Sequence, residues 1–319
     1  MSNIRILLIT PYSLDDYGGV QHQMLLAKKY LLENNYEVRI FSHASNDYDN
    51  IKPITIPFNG SKAKVSLKCN KKLLIEAIDW CDVVHIHEPF IPLILWRLKT
   101  DKKIITTHHA SLSKSISNIL KILYKVLLKD LFIINTCVSN SSYFQAEALR
   151  KYPKVIPNYI VFNENIEFNK SASRLTFLGR NEPRKGLNIY LKSIDSYILN
   201  HLKPTVITNK YIDKIYVESF TNLSNKGKYE ILTETSILIA PNTKNESFGL
   251  ILLEGISNGC LIIASDIDAF KEVLHDTGIY FKNMDSNSLN SQIKNVISKD
   301  MKKLWSDQYS GIRRFDIEK

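Results

Sequence analysis

The sequence predicts an α/β protein of two Rossmann-like domains, and three observations carry that prediction. Short apolar runs alternate with helix-patterned stretches, as they do when parallel strands are joined by crossover helices. The alternation restarts after the polar interval “NYIVFNENIEFNKSAS”, which divides the chain into residues 1–164 and 165–319. At 319 residues and 44% hydrophobic, the chain can bury two cores.

In the first domain “IRILLIT” reads as the opening strand and “QHQMLLAKKYLLE” as the helix that returns from it. “EVRIFS”, “DVVHIH”, “KIITTHH” and “INTCVSN” supply further strands. In the second domain “RLTFLGR”, “KPTVIT”, “SILIAP” and “LIIASD” do the same. Ligands of such sheets lie beyond the carboxyl ends of the strands. The residues that follow each run are therefore the candidates for chemistry.

Charge narrows the function classes. The net charge is +10. Residues 1–165 hold 21 Lys and Arg against 14 Asp and Glu (+7), and residues 166–319 hold 21 against 18 (+3). The first half thus expects an anionic partner. No zinc-finger, RNP-like or basic-zipper pattern accompanies the charge, so a membrane surface is favoured over nucleic acid. Cys69, Cys81, Cys137 and Cys260 lie far apart without metal or disulfide spacing. No apolar run reaches the ~18 residues of a membrane span, and “MSNIRILLITPYS” lacks a signal-peptide pattern. A reduced, cytoplasmic setting is expected.

“LGRNEPRKGL” gathers Arg180, Arg184 and Lys185 at a strand end, with Pro183 stiffening the turn and Gly186 leading into a helix. Cations so placed suit a phosphate-rich ligand, although a solvated basic loop reads the same way. “NESFGLILLEG” reads as a helix with Glu246 at its mouth and Glu254 eight positions on, ~12 Å along a helix axis. Two acids at that spacing fit the two ends of a nucleotide sugar; a helix cap and a surface acid would look alike. “YGGVQHQ” places Gly18 and Gly19 where backbone N–H groups can approach a phosphate, without the G-x-G-x-x-G of a dinucleotide site. His85, His87 and Glu88 in “HIHEP” and His109 in “THHAS” also fall at strand ends, where a histidine is more often structural than a metal ligand. In “SDIDAF”, Asp266 and Asp268 form a D-x-D that could hold a divalent metal. The helical pattern of “AFKEVL” favours Asp266 as the cap of a helix beginning near Ala269, so no metal is expected.

Taken in order, “PYSLDDYGGVQ”, “PFNGSKAK”, “DVVHIHEP”, “IITTHHAS”, “VIPN”, “LGRNEPRKG”, “NESFGLILLE” and “ASDIDAF” resemble family 4 of the glycosyltransferases, most closely its phosphatidylinositol mannosyltransferases. The resemblance spans most of the chain. It implies the GT-B fold, two Rossmann-like domains facing a central cleft, with an N-terminal acceptor domain and a C-terminal donor domain. It implies a retaining hexosyltransferase that moves mannose from GDP-mannose to a phosphatidylinositol-type lipid at the inner membrane face, with no cofactor or metal. Arg180 and Lys185 would grip the donor diphosphate, Glu246 and His109 the sugar, and Glu254 the ribose. Arg184, Ser247, Phe248, Gly249, Gly18 and Gly19 would complete the donor site. Tyr12 and Gln21, with Lys62, Lys64, Lys68, Lys71 and Lys72, would serve the acceptor and the anionic leaflet, and Lys121, Lys125 and Lys129 could extend that basic face. The segment after “KPTVIT” lacks the G-x-G usual in relatives, which leaves the base open. The competing readings are a family 4 enzyme with another sugar or acceptor, and a non-catalytic nucleotide-sugar binder.

Overall fold

The computed structural model describes residues 4–15, 18–49, 52–58, 61–66, 68–89, 98, 100–110, 114–127, 132–162, 165–169, 171 and 173–318. The chain divides into two units, Met1–Asn158 and Tyr159–Lys319.

The first unit runs β1 (Arg5–Ile9), α1 (Gly19–Glu33), β2 (Glu37–Ser42), β3 (Tyr48–Asp49), β4 (Ile54–Phe58), β5 (Ser61–Val65), α2 (Lys71–Trp80) and β6 (Val83–His87). It continues with β7 (Lys103–His108), α3 (Lys114–Leu127), β8 (Ile133–Cys137), α4 (Asn140–Leu149) and β9 (Lys154–Val155). Among the described residues seven strands form one parallel sheet in the order β3-β2-β1-β6-β7-β8-β9, and β4 and β5 form a separate antiparallel pair. Strand order reverses between β1 and β6, so the chain leaves these neighbours in opposite directions and opens a crevice at their carboxyl ends. Leu7, Ile9, Phe41, Leu74, Val84, Ile86 and Ile104 are buried together, which is why the strands read as apolar runs.

The second unit runs β10 (Arg174–Leu178), α5 (Leu187–Ser193), α6 (Ser196–His201), β11 (Lys203–Thr208), β12 (Glu218–Thr221), α7 (Asn225–Thr233), β13 (Thr235–Ala240) and α8 (Leu250–Ile256). It ends with β14 (Leu261–Ser265), α9 (Asp268–Leu274), β15 (Ile279–Phe281), α10 (Ser286–Ile297) and α11 (Met301–Ile312). The sheet order is β12-β11-β10-β13-β14-β15, parallel throughout, and its reversal lies between β10 and β13. Every residue of β13 and β14 is buried.

Side chains complete what the ladder leaves open. β15 pairs with β14 only from Ile263 onward, and Gln308 of α11 fills the place beside Ile262. The Ile262 amide donates to Gln308 Oε1, and Gln308 Nε2 donates to the Ile262 carbonyl, both at 2.9 Å. Asn169 Nδ2 donates to the carbonyls of Leu232, Thr235 and Asn258, pinning three connections at once. The two ends of the unit meet: the Ile160 amide donates to the Phe315 carbonyl and the Ile317 amide to the Ile160 carbonyl, each at 3.0 Å.

Two sequence expectations are corrected. The helix expected to open at Glu246 begins at Leu250, because Gly249 takes a left-handed conformation (φ 101°) against the Phe270 ring. Glu246 therefore precedes the helix by a turn, and the 12 Å spacing drawn along a continuous helix does not apply. Asp266 does not cap α9, whose N-cap is Ile267; its Oδ1 instead accepts from the Asn283 amide at 2.8 Å.

Candidate active site

The reversal between β10 and β13 brings two loops together. After β10, Gly179 and Arg180 lead into a 3-10 turn, Pro183–Lys185, which closes on Gly186 at φ 74°. A Cβ at Gly186 would stand 1.9 Å from the Pro241 carbonyl oxygen, so only glycine lets this turn lie against the loop after β13. The Thr243 amide then donates to the Arg184 carbonyl at 2.8 Å.

This contact sets the charged side chains. Lys185 Nζ lies 2.8 Å and Arg184 Nη1 3.8 Å from Glu246 Oε2, and Asn242 Nδ2 donates to the same oxygen. Glu182 lies below them, 3.1 Å from Arg184 Nε and 3.4 Å from Arg180 Nη1. The Lys185, Arg184 and Glu246 side chains are 19%, 11% and 16% exposed, whereas Arg180 is 44% exposed. Burial opposes ionisation of Glu246, but the Lys185 and Arg184 charges with the Asn242 amide outweigh it and hold the carboxyl below its usual value. Glu246 is thus a carboxylate at neutral pH. All three contacts converge on Oε2, so Oε1 is the oxygen with which it can accept from a ligand hydroxyl.

Of the other donor-site candidates, Phe248 is buried edge-on against Phe315 with centroids 5.3 Å apart, and Ser247 is half-buried. Glu254 lies within α8, 11% exposed, 3.3 Å from Lys228 of α7. The structure therefore brings Arg184, Lys185 and Glu246 together and gives Glu254 a partner of its own. Asn242, Glu182 and Lys228 were missed. Glu182 stands inside “LGRNEPRKGL” and Asn242 directly follows the strand run “SILIAP”, so a polar residue flanking a charged one at a strand end was the available signal.

In the first unit Gly18 is the extended N-cap of α1 and Gly19 its first residue. A Cβ at Gly18 would stand 2.4 Å from Gln21 Oε1, so the bare glycine makes room for the amide whose Nε2 donates to the Ser13 carbonyl at 3.1 Å. Tyr12 is buried (8% exposed) and bridges Val65 of β5. Glu88 is fully buried at φ 60°. Its Oε2 accepts from the His109 and Ala110 amides at 3.3 and 2.8 Å, and its Oε1 accepts from Gln145 Nε2 at 2.9 Å. Burial raises its pKa to about 7 against these hydrogen bonds. His109 is 8% exposed and shares a 3.0 Å hydrogen bond with His87. Burial lowers His85 to about 4 and His108 and His109 to about 3, so these rings are neutral.

Lys64, Lys68, Lys71 and Lys72 are exposed, and Lys62 lies on β5 with its side chain outside the described atoms. Lys121 is half-buried on α3, where Ile119 and Ile122 are 62% and 68% exposed; the Lys125 side chain and Lys129 lie outside the described residues. Among the described residues no His, Cys, Asp or Glu group has metal-holding geometry, and no helix is long and apolar enough to cross a membrane.

Comparison with known proteins agrees with this architecture. Residues 17–162 match the model “Glycosyltransferase Family 4” and residues 172–299 the model “Glycosyl transferases group 1”. A phosphatidyl-myo-inositol mannosyltransferase of Mycobacterium leprae is 29% identical over 310 residues, covering 86% of this chain and 81% of that protein. One from Mycobacterium tuberculosis is 29% identical over 312 residues, covering 86% and 80%. Among solved structures, a glycosyltransferase from Rickettsia africae superposes with a TM-score of 0.72 at 17% identity, over 100% of this chain and 96% of its own. An Anabaena protein crystallised with UDP and glucose gives 0.66 at 13%, over 99% and 96%.

Proposed function

Because the chain belongs to the family 4 glycosyltransferases, with the GT-B fold, we propose that it is a retaining enzyme carrying mannose from GDP-mannose to a phosphatidylinositol-type lipid. The observation that carries the site is the convergence of Lys185 and Arg184 on Glu246. When the bond between sugar and diphosphate breaks, negative charge grows on the departing phosphate and the sugar becomes oxocarbenium-like. Cations held in place beforehand favour that state over the bound substrate. In this reading Lys185, Arg184 and Arg180 meet the diphosphate, Glu246 accepts from the sugar hydroxyls through Oε1, His109 meets the sugar, and Glu254 the ribose. Gly18 and Gly19 offer backbone N–H groups to phosphate, and Tyr12 and Gln21 line the acceptor side.

Mannose and the inositol lipid are supported by the names of the relatives, which share their identity with this chain over most of both lengths. The site is proposed to work without a metal, and the exposed lysines around β5 and α2 to hold the enzyme at the inner, anionic membrane face. The test is a panel of GDP- and UDP-sugars offered with phosphatidylinositol vesicles and with soluble sugars, the product's anomeric configuration being read by NMR. An α-mannosyl lipid formed from GDP-mannose is expected. Transfer only from another donor, or only to soluble acceptors, overturns the specificity; an inverted product overturns retention.

A further inference from the structure

Three histidine rings follow one another at the end of the first sheet. The His85 and His87 centroids are 4.2 Å apart, and His109 stacks on His87 at 5.2 Å. Neither His87 nor His109 carries a charge, because burial holds both far below the usual histidine range. The 3.0 Å contact between His87 Nδ1 and His109 Nε2 must then contain one N–H and one lone pair. His87 is 3% exposed, and among the described residues its Nε2 has no hydrogen-bond partner.

That orphan nitrogen selects between the two arrangements. If His109 donated from Nε2, His87 would have to carry its own proton on Nε2, a buried N–H with no acceptor. If His87 donates from Nδ1, its Nε2 is only an unused lone pair. Orphaned N–H groups are the rarer and costlier of the two defects. Glu88 holds the backbone beneath His109, accepting from the amides of His109 and Ala110, so the second ring is tethered at both ends. We propose that His87 is a positioning residue, which donates from Nδ1 and thereby fixes His109 as the Nδ1–H tautomer. His109 then offers its substrate a hydrogen-bond donor, and the atom it meets is an acceptor oxygen of the sugar. The last step rests on the reading of His109 as a sugar-facing residue; the tautomer does not.

The tautomer is read directly from long-range proton–nitrogen correlation spectra of histidine-labelled, unliganded protein, assigned with His87→Asn and His109→Gln. A protonated Nδ1 and bare Nε2 on His109 are expected; the reverse pattern overturns the proposal. The consequence is read with GDP-mannose and phosphatidylinositol vesicles. His87→Leu should lower kcat about tenfold or more with little change in donor KM. His87→Asn, whose amide nitrogen reaches the place of Nδ1, should restore most of it. Undiminished kcat in a folded His87→Leu protein overturns the positioning role. An unchanged kcat in His109→Gln would instead remove His109 from the sugar site, and the spectrum alone then decides the tautomer.

Discussion

Lys185 stands 2.8 Å from a carboxylate and, in the proposed site, against the donor phosphate, so its removal acts on both. Lys185→Ala is expected to lower kcat about a hundredfold, or ~3 kcal/mol, as losing one preorganised electrostatic contact does. Arg180→Ala, at a 44% exposed side chain, should lower turnover while leaving the melting temperature unchanged. Wild-type turnover in both variants would remove the diphosphate site from this turn. Asp266 spends one oxygen on the Asn283 amide, and in the proposed site the leaving charge is met by cations, so EDTA should not change initial rates. Activity lost in EDTA and restored by magnesium or manganese would place a metal in the reaction. The buried histidines set the response to acid. Their folded pKa values lie below the ordinary 6.5, at about 4 for His85 and about 3 for His108 and His109. Each contributes stability that is present above 6.5 and lost as pH falls through the folded value. Glu88, raised from 4.5 to about 7, acts oppositely and gains stability as pH falls between those limits. With His87, which burial also holds well below the ordinary value, four groups oppose one, so the melting temperature should drop as pH is lowered from 6.5 toward 4; a flat or rising profile would contradict these burials.

At the scale of the element, the 3-10 turn ending at Gly186 sets how closely the loops after β10 and β13 can approach. Gly186→Ala demands a left-handed alanine and drives its methyl into the Pro241 carbonyl, so at least ~2 kcal/mol of stability should be lost, together with turnover. An unshifted denaturation midpoint would show that the loops can part freely. The interior strands were legible from the apolar positions that burial demands: Val38, Ile40 and Phe41 in “EVRIFS”, which became β2 without change, and Val206 and Ile207 in “KPTVIT”, which became β11. β12 escaped notice, since its four half-buried residues, Glu218–Thr221, lie on the sheet edge and include two polar and one acidic side chain. The start of α8 misled for a different reason. “FGLILLEG” is apolar enough to be helical throughout, yet Phe248 is buried against Phe315 and Gly249 turns left-handed, contacts made with residues far along the chain. Only one of the contacts of Asn242 is distant: its carbonyl accepts from Ser265 Oγ, 23 positions on, while its amide clamps Glu246 just four positions away. Candidate site residues could be named from strand ends; which of them touch could not.

For the molecule as a whole, +7 of the net charge of +10 falls in residues 1–165, the half in which the proposed lipid partner would be met. Lys64, Lys68, Lys71 and Lys72 are exposed beside Ile54 and Ile75, themselves 50% and 59% exposed, so cations and apolar side chains share a short stretch of the first unit. Each lysine near an anionic leaflet contributes ~1 kcal/mol, weakened by salt. Vesicle co-sedimentation should require anionic lipid, fall as salt is raised, and fall again when Lys62, Lys64, Lys68, Lys71 and Lys72 become glutamine. Equal binding to neutral vesicles would exclude this surface. The second unit has an organisation of its own, because Ile160 near its beginning is hydrogen-bonded to Phe315 and Ile317 near its end. A polypeptide whose beginning and end are already in contact is topologically a ring with one cut. The cut can be moved: linking these ends and opening the chain at an exposed loop would preserve the parallel sheet, so a circular permutant of this unit is a natural form in which to study it in isolation.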